Sequence, residues 1–231
     1  MALVVRAFPV RCDRAEVEAM AEELRRRSDD TRRFYESFGV RREAWFFQTE
    51  GEQSYVIGVT DVAEPVEEVA QAFATTDDEF ARWFQQRVLE LSGVDEREQP
   101  LGPPTTQVFD STDGAFRPDA RLAVRMYPLT RGIDAVHEFA GELRARSGET
   151  RAFYESYEVT ESWFAQDTGK GAYVIGVTSM RGDVEANAAR YAAADDPFAS
   201  WFKQRVVEVT GIDPNQAPLG PPSEQVFEFT R

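Results

Sequence analysis

The chain repeats itself. Val5-Arg6-Ala7-Phe8-Pro9 returns as Val124-Arg125-Met126-Tyr127-Pro128, and Thr31-Arg32-Arg33-Phe34-Tyr35-Glu36-Ser37 returns as Thr150-Arg151-Ala152-Phe153-Tyr154-Glu155-Ser156. Farther along, Tyr55-Val56-Ile57-Gly58-Val59-Thr60 matches the run from Tyr173 to Thr178, and Pro100-Leu101-Gly102-Pro103-Pro104 matches Pro218 to Pro222. Val40 aligns with Val159 and Trp45 with Trp163, with a single-residue gap between these points. Such continuous self-similarity predicts two copies of one domain of roughly 110 residues, joined head to tail. The expected boundaries are 1–110 for the first copy, 111–121 for a polar linker containing Asp113-Gly114 and Pro118, and 122–231 for the second.

Within one copy the apolar period switches between two and 3.6. Leu3 to Val10 reads as a strand. Asp13 caps a helix on which Val17, Met20, Ala21 and Leu24 share a face, and Ser28 to Thr31 either interrupts that helix or caps a second segment ended by Gly39. Glu43–Thr49 and Ser54–Thr60 form a hairpin about Glu50-Gly51-Glu52-Gln53. Asp77-Asp78 starts an amphipathic helix carrying Phe80, Phe84, Val88 and Leu91 that stops at Gly93, and Thr106–Asp110 is a last short strand. The second copy reads alike, so each has the order βαββαβ. That order predicts an α+β, ferredoxin-like unit with a four-stranded antiparallel sheet and helices on one face, its first strand central. Both sides of the strands carry apolar residues, so the bare sheet face is expected against the twin copy, as a pseudo-twofold sandwich or barrel within one chain.

On these residues the chain resembles a known group. The βαββαβ order and its duplication are similar to the dimeric α/β-barrel superfamily in fused, pseudo-dimeric form. Trp45 to Val59, the stretch Asp77-Asp78-x-Phe80-x-x-Trp83-Phe84 and their second copies resemble a bacterial family of about 100-residue proteins of unknown function. The wider superfamily includes cofactor-free monooxygenases, lactone isomerases, polyketide cyclases and haem enzymes. The resemblance therefore implies a fold and leaves the activity open.

Composition removes several classes. A net charge of -15 argues against a nucleic-acid footprint and against an anionic membrane surface. One cysteine, Cys12, permits no internal disulfide, and its counterpart is Arg131. No run of the chain is long and apolar enough to span a bilayer and no secretory signal is legible, so a soluble cytoplasmic protein is expected. One histidine, His137, makes no ligand cluster; its place on a helix flank reads as surface, and neither metal nor cofactor is expected. Gly169-Lys170-Gly171 is a hairpin turn rather than a phosphate loop.

The residues singled out for ligand binding are Arg6 and Arg125, mid-strand cations that suit a carboxylate or an enolate-like oxyanion, with the hairpin aromatics Trp45, Trp163, Tyr55 and Tyr173. The alternative for the arginines is an internal ion pair with Glu36/Glu155 or Glu43/Glu161, or a rim position; for the aromatics it is plain core. Glu36 and Glu155, each beside a tyrosine, are weighed as acid/base groups against solvated helix ends, and Arg87 and Arg205 as ligand groups against core-edge cover. Two functions follow: a small-molecule-binding or structural module, or a cofactor-independent enzyme (isomerase, cyclase or monooxygenase-like) acting on a small apolar or acidic substrate. Further self-association of the pseudo-dimer stays open.

Overall fold

The computed structural model describes residues 2–63, 65–111 and 120–231. Most of the expected linker, with Asp113, Gly114 and Pro118, lies outside the described residues. The first half contains β1 (Ala2–Val10), α1 (Arg14–Arg26), α2 (Ser28–Ser37), β2 (Val40–Glu50), β3 (Gln53–Val62), α3 (Val66–Thr75), α4 (Glu79–Ser92) and β4 (Thr106–Asp110). The second half repeats the order with β5 (Arg121–Pro128), α5 (Ile133–Ala145), α6 (Ser147–Ser156), β6 (Val159–Asp167), β7 (Ala172–Met180), α7 (Val184–Ala193), α8 (Pro197–Thr210) and β8 (Ser223–Thr230).

Local chemistry places these boundaries. The Asp13 side chain accepts from the Glu16 amide at the start of α1, and Asp78 and Asp196 do the same for α4 and α8. Gly93 and Gly211 close α4 and α8 with left-handed backbone, φ 78° and 75°. The first helical run does break, at Arg27. There Thr31 Oγ1 donates to the Leu24 carbonyl at 2.8 Å, and the Arg27 guanidinium sits 4.5 Å from the centre of the Phe80 ring. Thr150 and Arg146 repeat both contacts, at 2.9 Å to the Leu143 carbonyl and 4.8 Å to Phe198.

Among the described residues the strands form two four-stranded antiparallel sheets, in the orders β1-β3-β2-β8 and β4-β6-β7-β5, and neither sheet closes into a barrel. The expected barrel is corrected accordingly. The last strand of each half does not join its own sheet. β8 pairs with β2, Trp45 opposite Phe227, and β4 pairs with β6, Phe109 opposite Trp163. The compact units are therefore 1–104 with 223–231 (unit 1) and 105–222 (unit 2), where the sequence repeat divides at the linker.

A second correction concerns β1. Expected at the centre, it ends its strand order, because the terminal strand adds beside β2 instead. Pro9 and Pro128 fit this place, since proline cannot donate to a ladder and is confined to edges and strand ends. The helices α3 and α7 are additional to the expected elements; Val66, Val69 and Phe73 supply the helical spacing that places α3 against the core.

Each unit has its own core between helices and sheet. In unit 1 it joins Val17, Met20 and Leu24 of α1 to Trp45, Phe84 and Phe227. In unit 2 Val136, Phe139 and Leu143 meet Trp163, Phe202 and Phe109. The opposite sheet faces are buried as well, with Val5, Ala7, Ala44 and Ile57 in one sheet and Val124, Met126 and Ile175 in the other fully or nearly fully shielded. Among the described residues no helix is long and apolar enough to cross a membrane.

Candidate functional site

Each unit has a partly open cavity between its sheet and its helices, of about 120 Å³ in unit 1 and about 160 Å³ in unit 2. Either is many times the space one water needs, and the walls are mainly apolar. The two are built from matching positions.

The floor follows from register. In unit 1, Arg6 and Trp45 both stand opposite Gly58, and Glu43 opposite Thr60. In unit 2, Arg125 and Trp163 flank Gly176, and Glu161 faces Thr178. Alternation along β2 and β6 puts Glu43 on the face of Trp45, and Glu161 on that of Trp163. The glycines leave the floor open: a Cβ on Gly58 would lie 3.6 Å from Glu43 Oε1, and one on Gly176 3.4 Å from Glu161 Oε1.

Glu43 is buried and accepts from Trp45 Nε1 at 2.7 Å and from the Thr60 hydroxyl. Burial raises its pKa to about 7 against these two bonds. Glu161 accepts from Tyr154 Oη at 2.7 Å, from Thr178 Oγ1 at 3.2 Å and from Trp163, and burial raises its pKa too.

Unit 1 then adds a group that unit 2 lacks. Glu96, in the turn after α4, is 5% exposed and lines the cavity. Burial, then the charges of Glu43 and Asp95, push its pKa up to about 8. The matching position in unit 2 is Pro214, which also lines its cavity. Tyr35 completes the unit 1 group: its ring is stacked 4.7 Å from Phe229, and burial together with Glu43 and Glu96 drives its phenol pKa far up. Tyr35 Oη and Glu96 Oε2 are buried and have no hydrogen-bond partner among the described residues. Unit 2 carries phenols where unit 1 has phenyl rings, with Tyr127, Tyr157 and Tyr191 at the positions of Phe8, Phe38 and Phe73.

The repeated Leu-Gly-Pro-Pro motif forms one edge of each cavity. Leu101 and Leu219 line them, and the ring of Phe8 or Tyr127 packs so closely on Gly102 or Gly220 that a Cβ there would come within 2.1 Å of it. Tyr127 Oη also donates to the Leu219 carbonyl at 2.9 Å. The motif is a turn that seats an aromatic side chain of the first strand.

Of the residues singled out from sequence, Arg6 and Trp45 line the first cavity and Arg125 and Trp163 the second. Both arginines are half-buried, and burial lowers their pKa values. Tyr55 and Tyr173 lie on the other face of their sheets and outside both linings. Glu36 is at the surface with Arg32 and Arg231, Glu155 and His137 are exposed, and Arg205 is clamped by Glu142 at 2.9 Å. Arg87 pairs with Glu90.

The groups with the most marked electrostatics, Glu43, Glu96 and Tyr35, were not read as a site from sequence. Alternation along β2 does signal Glu43, by putting a carboxylate in phase with a core tryptophan. Glu96 has no such signal, because it sits in an irregular turn. No family model, curated protein or solved structure matches this chain.

Proposed function

We propose that the chain is a tandem duplication of a ferredoxin-like unit and that it serves as a small-molecule-binding module, with ligands lodged between helices and sheet. The observation that carries this is the duplicated floor: a glycine opposite an arginine and a tryptophan, with a buried glutamate beside them, under an apolar cavity in each unit. Glycine on a strand interior weakens the strand and is expected where another group must approach closely. A few convergent polar groups in an otherwise apolar concavity are what orient a small ligand.

The test is thermal stabilisation by single-ring molecules that differ only in head group: amine, alcohol, ketone and carboxylate. At least one should raise the Tm of the wild-type chain, and Gly58→Leu combined with Gly176→Leu, which fills both floors, should abolish the rise. Absence of stabilisation by every head group would overturn the reading.

A cofactor-independent enzyme is the second reading, favoured by Glu43. A carboxylate with a pKa near 7 in an apolar cavity is suited to take a proton from a bound carbon acid. Exchange of ligand α-protons with deuterated solvent, catalysed by wild type and lost in Glu43→Gln, is its signature.

A further inference from the structure

The unit 1 cavity is lined by two carboxyl groups, Glu43 and Glu96, that make no ion pair among the described residues. Glu43 and Glu96 are 8% and 5% exposed, and both line the cavity. The charges that act on Glu96 are those of Glu43 and Asp95, both of its own sign. Among the described residues Glu43 accepts from the neutral donors Trp45 and Thr60. Arg6 lines the same cavity from a half-buried position. A separate observation comes from the phenol: Tyr35 is 4% exposed, lines the cavity, and its Oη has no partner among the described residues. Around these polar groups stand the rings of Phe34, Phe38, Trp45, Phe73 and Phe84.

We propose that the unit 1 cavity takes a small organic amine as its ammonium ion, with the nitrogen on Glu43, Glu96 and the Tyr35 phenol and the hydrocarbon part against the aromatic wall. This rests on the small-molecule reading above and names its ligand class. A primary ammonium has three donors and no acceptor, which matches two carboxylates and a phenol oxygen. Buried carboxylates are stable when paired and costly when not, so a cation entering between them turns a repulsive pair into a satisfied one. Aromatic faces add attraction for the same charge. Burial favours the protonated forms of the pair, raising Glu43 to about 7 and Glu96 to about 8.

Unit 2 does not take this ligand. Pro214 stands in place of Glu96, and the Glu161 carboxylate is already occupied by Tyr154, Thr178 and Trp163. One amine per chain is therefore expected.

Calorimetric titration of the full chain with 2-phenylethylamine, 2-phenylethanol and phenylacetate tests the assignment. The amine should bind with a stoichiometry of one and about tenfold or more tighter than the alcohol, as expected for charge-assisted over neutral hydrogen bonds. Glu96→Gln, which keeps shape and removes charge, should bring the amine to the alcohol's affinity, and Tyr35→Phe should weaken the amine with the alcohol less affected. Equal binding of amine and alcohol, tighter binding of phenylacetate, or a preference that survives Glu96→Gln overturns the amine assignment alone. If these three do not bind and the wider head-group panel also fails, the small-molecule reading falls with it.

Discussion

Tyr154 donates its phenol proton to Glu161 across 2.7 Å, whereas the matching Tyr35 keeps a buried hydroxyl with no partner among the described residues. The same two residue types at the same two positions thus make a closed hydrogen bond in one unit and an open polar site in the other. The lining differs as well in the turn that follows α4 or α8, where Glu96 in one copy stands in place of Pro214 in the other.

Removing the two hydroxyls should therefore have opposite consequences. Tyr154→Phe leaves a Glu161 oxygen without its donor and is expected to cost about 1–3 kcal/mol. Tyr35→Phe removes an unsatisfied buried group and should be neutral or slightly stabilising. Denaturant unfolding of both variants at one pH checks the contrast, and equal losses would contradict it.

Stability should fall with rising pH over a defined window. Glu43 and Glu96 have folded pKa values of about 7 and about 8, above the ordinary 4.5, so the folded chain holds their protons more tightly than the unfolded one. Their contribution is complete below pH 4.5 and is lost as pH rises through 7 and 8. Glu96→Gln, which mimics the protonated acid, should flatten this decline by on the order of a few kcal/mol between pH 5 and 8.5. Unfolding curves of wild type and variant at the two pH values give the measurement; parallel declines would place the pH dependence elsewhere.

Two glycines with similar backbone conformation should respond differently to alanine. Gly51 has φ 59° and nothing within 4 Å of a built Cβ, so Gly51→Ala should cost about 1 kcal/mol of left-handed strain. Gly102 has φ 85° with the Phe8 ring in the way, so Gly102→Ala must also displace that ring from the cavity edge. A loss of more than about 2 kcal/mol is expected there. Thermal unfolding separates them.

Lys203 is a buried cation with a structural task. Its Nζ donates to the Ala192 and Ala194 carbonyls at 2.7 Å each and to Asn215 Oδ1 at 3.0 Å, closing the end of α7. Gln85 does the same with one bond to the Phe73 carbonyl at 2.7 Å, at the end of α3. Lys203→Met should cost about 2–4 kcal/mol, and Lys203→Gln, which copies the solution of the first unit, should recover part of it. Equal destabilisation by both substitutions would argue that the charge, not the hydrogen bond, matters.

Much of the fold was legible because it is written in local patterns. Asp13, Asp78 and Asp196 announce helix starts, Gly93 and Gly211 announce helix ends, and the hairpins lie where their turn residues put them. Arg6, Arg125, Trp45 and Trp163 stood out as charge or bulk on a strand, and all four line the cavities. Tyr55 and Tyr173 looked equivalent to the tryptophans, yet their strand phase turns them to the opposite face. The helix at Val66–Thr75 is not legible in the sequence, because its few apolar residues lie among glutamates and alanines.

The amino-acid sequence by itself determined that the chain repeats, where its strands and its helices other than α3 and α7 fall, and which face of α1 turns to the core. Periodicity and capping act within a few residues, so they can be read in one dimension. Tertiary structure alone decided which sheet receives each last strand, and with it that β1 lies at an edge. Backbone ladders form through groups every residue shares, so side-chain pattern does not name the partner. It also decided that Tyr35, Glu43 and Glu96 share one cavity. A carboxylate's pKa is set by what surrounds it in space, and here a helix, a strand and a turn about fifty residues farther along supply those surroundings.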